Sequence, residues 1–279
     1  MKTRARFVAV WVGLAVVLGA SAWAGEVEDQ ARAVLDQHKE AVVTVRLVVK
    51  QSFSMGPMGG EEEETKTEAT GTMIGPDGLT VLALSSTDPM SLVRSMMGGM
   101  MGSDMKMDSQ VSDVKILLHD GTELDGEIVL RDKDLDLAFV RPLEKPEVPM
   151  AHVDLEAAAV PGVLDRVVAL NRLGKVANRV YSISFERVEA IVEKPRTFYV
   201  PGRDATNTSQ GSPAFDLEGN IVGVFVMRAI KSTGDGGGMF GAMTGAAQNV
   251  LPILLPAADI RESARQAPPF EAKKEEADE

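Results

Sequence analysis

A serine hydroxyl attacks a carbonyl only when a base takes its proton and a third group holds that base in place. The chain offers hydroxyls in Asp-Ala-Thr-Asn-Thr-Ser-Gln-Gly-Ser-Pro, residues 204–213, where Ser209 and Ser212 are the candidate nucleophiles. It offers Asp136 inside Asp-Leu-Ala-Phe-Val. Imidazoles are scarce: the chain has 3 histidines, His38, His119 and His152. His38 falls on a predicted helix, His119 just before a tight turn, and His152 in a Pro- and acid-rich linker. Each placement suits a solvated or helix-face residue better than a base. With no cysteine, thiol catalysis, disulfides and Cys-based zinc sites are excluded.

Two other groupings resemble metal ligands. The run Glu61–Glu64 supplies carboxylates of the kind calcium takes, although a charge run reads more simply as a solvated loop. Residues 90–107 hold seven methionines, and Met96, Met97, Met100, Met101, Met105 and Met107 could offer thioethers to copper(I). They fit a soft contact surface or a plain insertion equally well, because no His or Cys supports them. Neither metal nor cofactor is called for.

The elements that must position these groups are mainly strands. In Val42–Val49, residues Val43, Val45, Leu47 and Val49 alternate with Thr44 and Arg46. Short β-rich runs follow at 71–74, 79–83, 114–118, 124–130 and 135–141. Gly75-Pro-Asp-Gly78 and Asp120-Gly121 mark hairpin turns. A second set covers Val167–Leu170, Val180–Val192, Thr197–Val200, Pro213–Phe215 and Ile221–Met227. The strands lie too close together for βαβ units, and the length fits two barrels of about six strands each. A helix is expected over 26–40 and a closing helix over 251–265. The segments 54–64, 90–107 and 234–245 read as mobile Gly-rich loops.

Lys2, Arg4 and Arg6, the apolar stretch Phe7–Ala20 and Ala22-Trp-Ala24 form an export-signal pattern with Gly25 as the first mature residue. The divisions expected are a signal at 1–24, a helix and first barrel at 25–145, a second barrel and closing helix at 146–261, and a disordered charged tail at 262–279. The expected location is periplasmic or secreted, with no stable membrane span after cleavage. The formal charge is −12. The mature chain carries 26 Lys and Arg against 41 Asp and Glu, a charge of −15. Such a protein repels phosphate backbones, so nucleic acid is not an expected partner.

Four stretches carry a family resemblance. Ala69-Thr-Gly-Thr-Met-Ile-Gly-Pro-Asp-Gly-Leu-Thr-Val looks like a hairpin leading to a catalytic histidine. Val114-Lys-Ile-Leu-Leu-His-Asp-Gly-Thr-Glu-Leu with Asp132-Lys-Asp-Leu-Asp-Leu-Ala-Phe-Val looks like the strands leading to a triad aspartate. Asp204–Val224 looks like the nucleophile turn and the strand after it. Asn178–Glu193 is similar to a second-barrel strand. Together they resemble the HtrA/DegP group of trypsin-like serine proteases, without its peptide-binding PDZ module. The resemblance implies an all-β fold of two six-stranded antiparallel barrels with a helix at each end. It places Ser85 where the family has histidine, retains the aspartate as Asp136, and puts Gln210 at the nucleophile and Thr208 at the oxyanion turn. Counting from Asp204 instead puts Ser212 at the nucleophile. The expected function is a catalytically inactive homologue that binds extended peptide or unfolded, exported protein segments. A homo-oligomer or an active protease relative is a further possible partner. The alternatives are an active endopeptidase with a rearranged site, through Ser209 or Ser212, and an envelope metal-handling or scaffold protein using the Met-rich loops.

Overall fold

The fold is seen in a computed structural model that describes residues 25–55, 60–88, 105–202, 210–229 and 250–270. The signal pattern, Thr208, Ser209 and the loop 234–245 lie outside the described residues, as do Met96, Met97, Met100 and Met101.

Twelve strands form two closed barrels. The first comprises β1 (Val42–Met55), β2 (Gly60–Met73), β3 (Thr80–Ala83), β4 (Met105–Leu117), β5 (Glu123–Asp132) and β6 (Leu137–Pro142). The second comprises β7 (Arg166–Arg172), β8 (Tyr181–Val192), β9 (Phe198–Pro201), β10 (Pro213–Phe215), β11 (Ile221–Ala229) and β12 (Val250–Pro256). All paired strands within the barrels are antiparallel. The order around the first barrel, β1-β2-β3-β6-β5-β4, recurs around the second as β7-β8-β9-β12-β11-β10. The expected fold class is therefore the observed one. Closure removes most free edges, which open sheets must otherwise protect.

Alternation sets the core. Val43, Val45, Leu47 and Val49 are fully buried along β1, while Arg46 and Val48 face outward. Both hairpin turns form. Gly78 and Gly121 take the left-handed backbone that each turn needs. Asp77 and Asp120 accept hydrogen bonds from the amides of Leu79 and Thr122, two residues on. The inter-barrel linker is laid down rather than loose: Val153 is buried, and its amide donates to Met73 O.

Three expectations need correction. Residues 251–255 are strand, not helix. Pro252 lacks the amide a helix interior needs, and Ile253, Leu254 and Leu255 are buried consecutively as β12 closes the barrel between β11 and β9. The closing helix α2 (Ala257–Ala264) starts only after Pro256, while the N-terminal helix α1 runs over 25–38 within the described residues. The supposed loops at 54–64 and 90–107 are partly strand, since β1 and β2 pair out to Ser54↔Gly60 and β1 and β4 out to Met55↔Met105. Glu61–Glu64 thus lie in a strand. The supposed tail is docked as far as 270: Ser263 donates to Asp132, and Arg141 donates to Pro268 O and lies over the Phe270 ring.

The closure of the second barrel generates a prediction. A Cβ at Gly223 would collide with the carbonyl oxygen of Leu255 on the neighbouring strand. The variant Gly223→Ala is expected to lose about 3 kcal/mol or more, because backbone cannot yield as a flexible side chain does. Urea unfolding followed by circular dichroism reads the loss.

Candidate functional site

The site lies where the two barrels meet. Ser85 sits in a short 3-10 turn, Leu84–Ser86, directly after β3. Asp136 sits just before β6 in the left-handed region, at φ 56°, which is uncommon for a residue with a side chain. Its carbonyl accepts from the Leu84 amide at 2.8 Å, so the two segments are tied by backbone as well as side chain. Gln210 stands immediately before Gly211 and β10, in the second barrel. Residues 51 and 74 positions apart in sequence are brought into one cluster.

The Asp136 carboxylate accepts three hydrogen bonds. Ser85 N–H donates to Oδ1 at 2.7 Å and Ser85 Oγ–H to Oδ2 at 2.8 Å. Met227 N–H donates to Oδ2 at 3.1 Å from β11 of the other barrel. Gln210 Oε1 lies 3.4 Å from Ser85 Oγ and accepts from Ser86 Oγ at 3.2 Å. The Ser85 hydroxyl has one proton, so it serves the ionised carboxylate, and Ser86 serves the amide. Protonating Asp136 reverses the first link: the acid donates to Ser85 Oγ, and Ser85 donates onward to Gln210.

Burial pushes the Asp136 carboxyl up to about 6, against the opposing pull of the three hydrogen bonds. No cation among the described residues forms an ion pair with it. All three histidines are elsewhere. His38 stacks on Phe215 at 4.2 Å between ring centroids, and its Nε2 lies 3.0 Å from Gly219 O. Burial lowers its pKa, against the opposing pull of the Gly219 hydrogen bond. His119 is on the surface 3.8 Å from Glu40, and His152 bonds Met150 O.

The structure therefore assembles Ser85, Asp136 and Gln210, and it takes Ser212 away from them. Ser212 is fully buried, and its hydroxyl donates to Asn171 Oδ1 at 3.1 Å. Thr70 donates to the same oxygen at 2.9 Å. Among the described residues no base hydrogen-bonds Ser212, and its side chain has no access to solvent. Met105 and Met107 fall at the start of β4. Among the described residues no cluster of three or more His, Cys, Asp or Glu is arranged to hold a metal.

The sequence reading missed Ser86 and Asn171. Asn171 opens a polar pair, Asn171-Arg172, that ends β7 after the apolar run Val167–Leu170, and both are buried. A polar pair ending a core strand was the available signal. Both missed residues, with Thr70, Glu68 and Gln210, line a cavity of about 260 Å³ beside the cluster.

The two barrels thus bring one residue from each of three separate segments to the seam between them. The sequence model of the trypsin-like peptidase domain matches residues 69–224, over half the chain. This chain belongs to that family. The match spans Ser85, Asp136 and Gln210, so the cleft of this trypsin-like domain holds Ser, Asp and Gln together. Among curated proteins, no sequence matches this one.

The raised Asp136 pKa has a definite sign. The folded state holds the proton more tightly than the unfolded chain, whose carboxyl has the ordinary value of 3.8. Asp136 therefore costs nothing below about pH 4, and stability is lost as pH rises toward 6. Relative to Asp136→Asn, the wild type is expected to lose about 2.4 kcal/mol between pH 4 and pH 7.5. Paired urea titrations across that range measure it, and a flat difference would contradict the burial cost.

Proposed function

We propose that this chain is a non-hydrolytic, HtrA-like member of the trypsin-like family that holds extended polypeptide in the cleft between its barrels. The observation that carries the reading is the company of Asp136: a serine hydroxyl and two backbone amides, with no imidazole. In a serine protease, the aspartate orients a histidine that takes the proton of the attacking serine. Ser85 cannot act as a base near neutral pH, and Gln210 has no nucleophilic oxygen. Losing nucleophile or base costs about a millionfold in kcat in the best-studied serine hydrolase case. What survives such losses is a cleft, which can bind by strand addition without cutting.

The same proposal includes export. The basic start, apolar stretch and Ala22-Trp-Ala24 pattern suit a periplasmic or secreted protein whose ligands are unfolded exported segments.

The full chain is expected to take no label from a fluorophosphonate probe and to leave casein intact. It is expected to bind unfolded casein saturably. Gln210→Trp, which fills the cleft, is expected to weaken that binding about tenfold or more in protein whose circular dichroism spectrum shows the fold retained. Labelling abolished by one serine substitution would overturn the reading in favour of an active endopeptidase.

A further inference from the structure

The turn that joins β7 to β8 breaks a local rule. Val180 N–H donates to Ala177 O at 3.2 Å, and Asn178 and Arg179 between them both take the left-handed backbone, at φ 53° and 54°. That is a type I′ hairpin turn, in which asparagine suits the first central position and glycine the second. Arginine stands where glycine would avoid the strain. Departures from local preference concentrate where a side chain has another task, and Arg179 has one. Its guanidinium reaches from the second barrel to Glu68 on β2 of the first. Nη2 donates to one carboxylate oxygen, and Nε donates to the other at 3.3 Å. Two parallel charged hydrogen bonds of this kind fix geometry as well as energy. Arg46, opposite Glu68 on β1, lies 3.8 Å from the same carboxylate and steadies it from its own barrel. The Glu68 carboxyl is held below its ordinary range, first by the Arg179 hydrogen bond, so the pair stays charged through neutral pH.

This pair stands on a boundary. Glu68 lines the cavity beside Gln210, and it also lines a second hollow of about 540 Å³ on the outer face of the first barrel. The β7–β8 loop supplies wall to both: Leu173 and Gly174 to the cavity, Lys175 and Arg179 to the outer hollow. Across the cavity from the loop, Thr44 of β1 is buried. The base of the loop is anchored by Arg172, which donates to Leu117 O and Leu118 O of the first barrel and, at 3.4 Å, to Arg179 O. At the crest, Val176 is fully exposed, so no apolar packing holds it down. The side-chain tie between the loop and the first barrel is the bond from Arg179 to Glu68.

We propose that the β7–β8 loop is a lid, latched by the Arg179–Glu68 pair, that divides the Gln210 cavity from the outer hollow and joins the two when unlatched. Unlatching gives the cleft a second entrance, from the outer face of the first barrel. The lid adds to the cleft that the reading above assigns to peptide, but its probe is a thiol reagent with no peptide present, so the two readings fail separately.

The chain has no cysteine, so one introduced thiol is a unique reporter. Thr44→Cys puts it on the cavity wall, and Val45→Cys puts it in the core of the first barrel, where only unfolding exposes it. The full chain carrying either substitution is labelled with dithiobis(nitrobenzoate), and the rate is read by absorbance. Labelling at Thr44→Cys is expected to be slow with the latch intact. It is expected to run about tenfold faster when Glu68→Gln or Arg179→Gly is added. Arg179→Gly removes the latch while keeping the turn, since glycine suits the left-handed position. The two latch substitutions together are expected to add little to either alone, because they remove one interaction. Labelling at Val45→Cys is expected to stay the same throughout. An unchanged rate at Thr44→Cys after the latch is removed would overturn the lid. So would labelling as fast as a free thiol's with the latch intact. Equal acceleration at Val45→Cys would also overturn it, because the whole barrel would then be loosening.

Discussion

Gly211 touches the backbone of the other barrel, and the site depends on that contact. A Cβ there would collide with Thr70 O on β2, and its φ of +81° is one that side chains rarely adopt. Its neighbours add direction to the approach. Thr72 Oγ1 donates to Gly211 O at 2.9 Å, and the Gly211 amide donates to Phe225 O at 2.8 Å. From the second barrel, Arg172 reaches Leu117 O and Leu118 O in the first. The seam is thus polar and directional, where a purely apolar one would let the barrels slide. Gln210 stands next to this fixed point, so its distance from Ser85 follows from backbone contact between the barrels.

Asp136 is the second expensive feature. Burying a carboxylate without a cation is unfavourable, and the left-handed backbone at the same residue adds strain. Three donated hydrogen bonds offset only part of the burial, as the upward pKa shows. One of those donors, Met227, belongs to β11 of the opposite barrel. The carboxylate therefore works as a brace between the 3-10 turn after β3 and the wall of the second barrel. That structural task needs no imidazole, and it gives Asp136 a role in the fold independent of any chemistry.

The parts legible in sequence were those fixed by local pattern. The alternation in β1, the Asp-Gly turns and the Pro213–Phe215 strand could each be read from a few consecutive residues. β12 could not be read, because Leu251–Leu255 is a continuous apolar run and only closure against β11 and β9 makes it a strand. The pairing of Glu61–Glu64 with Phe53–Lys50 was equally hidden, since a run of acid looks like solvated loop until its partner strand is known. At the site, Ser85, Asp136 and Gln210 were pointed to by the resemblance to trypsin-like serine proteases, and the structure brings them together. Asn171 was not, because its importance lies in accepting hydroxyl protons from two segments 101 and 41 residues away.

On the non-hydrolytic reading proposed above, a cleft of this shape binds differently from one that turns substrate over. A hydrolase gains rate only from contacts that strengthen in the transition state, and contacts that hold substrate and product alike slow its turnover. A holder has no turnover to slow, so ground-state contacts along the strand edge can accumulate freely. Release is then governed by dissociation alone, and affinity differences between ligands appear mainly in how long they stay. The Ser85–Asp136–Gln210 cluster suits that role. It keeps the cleft wall hydrogen-bonded, and on that reading it offers a bound peptide an amide and a hydroxyl that can pair with backbone.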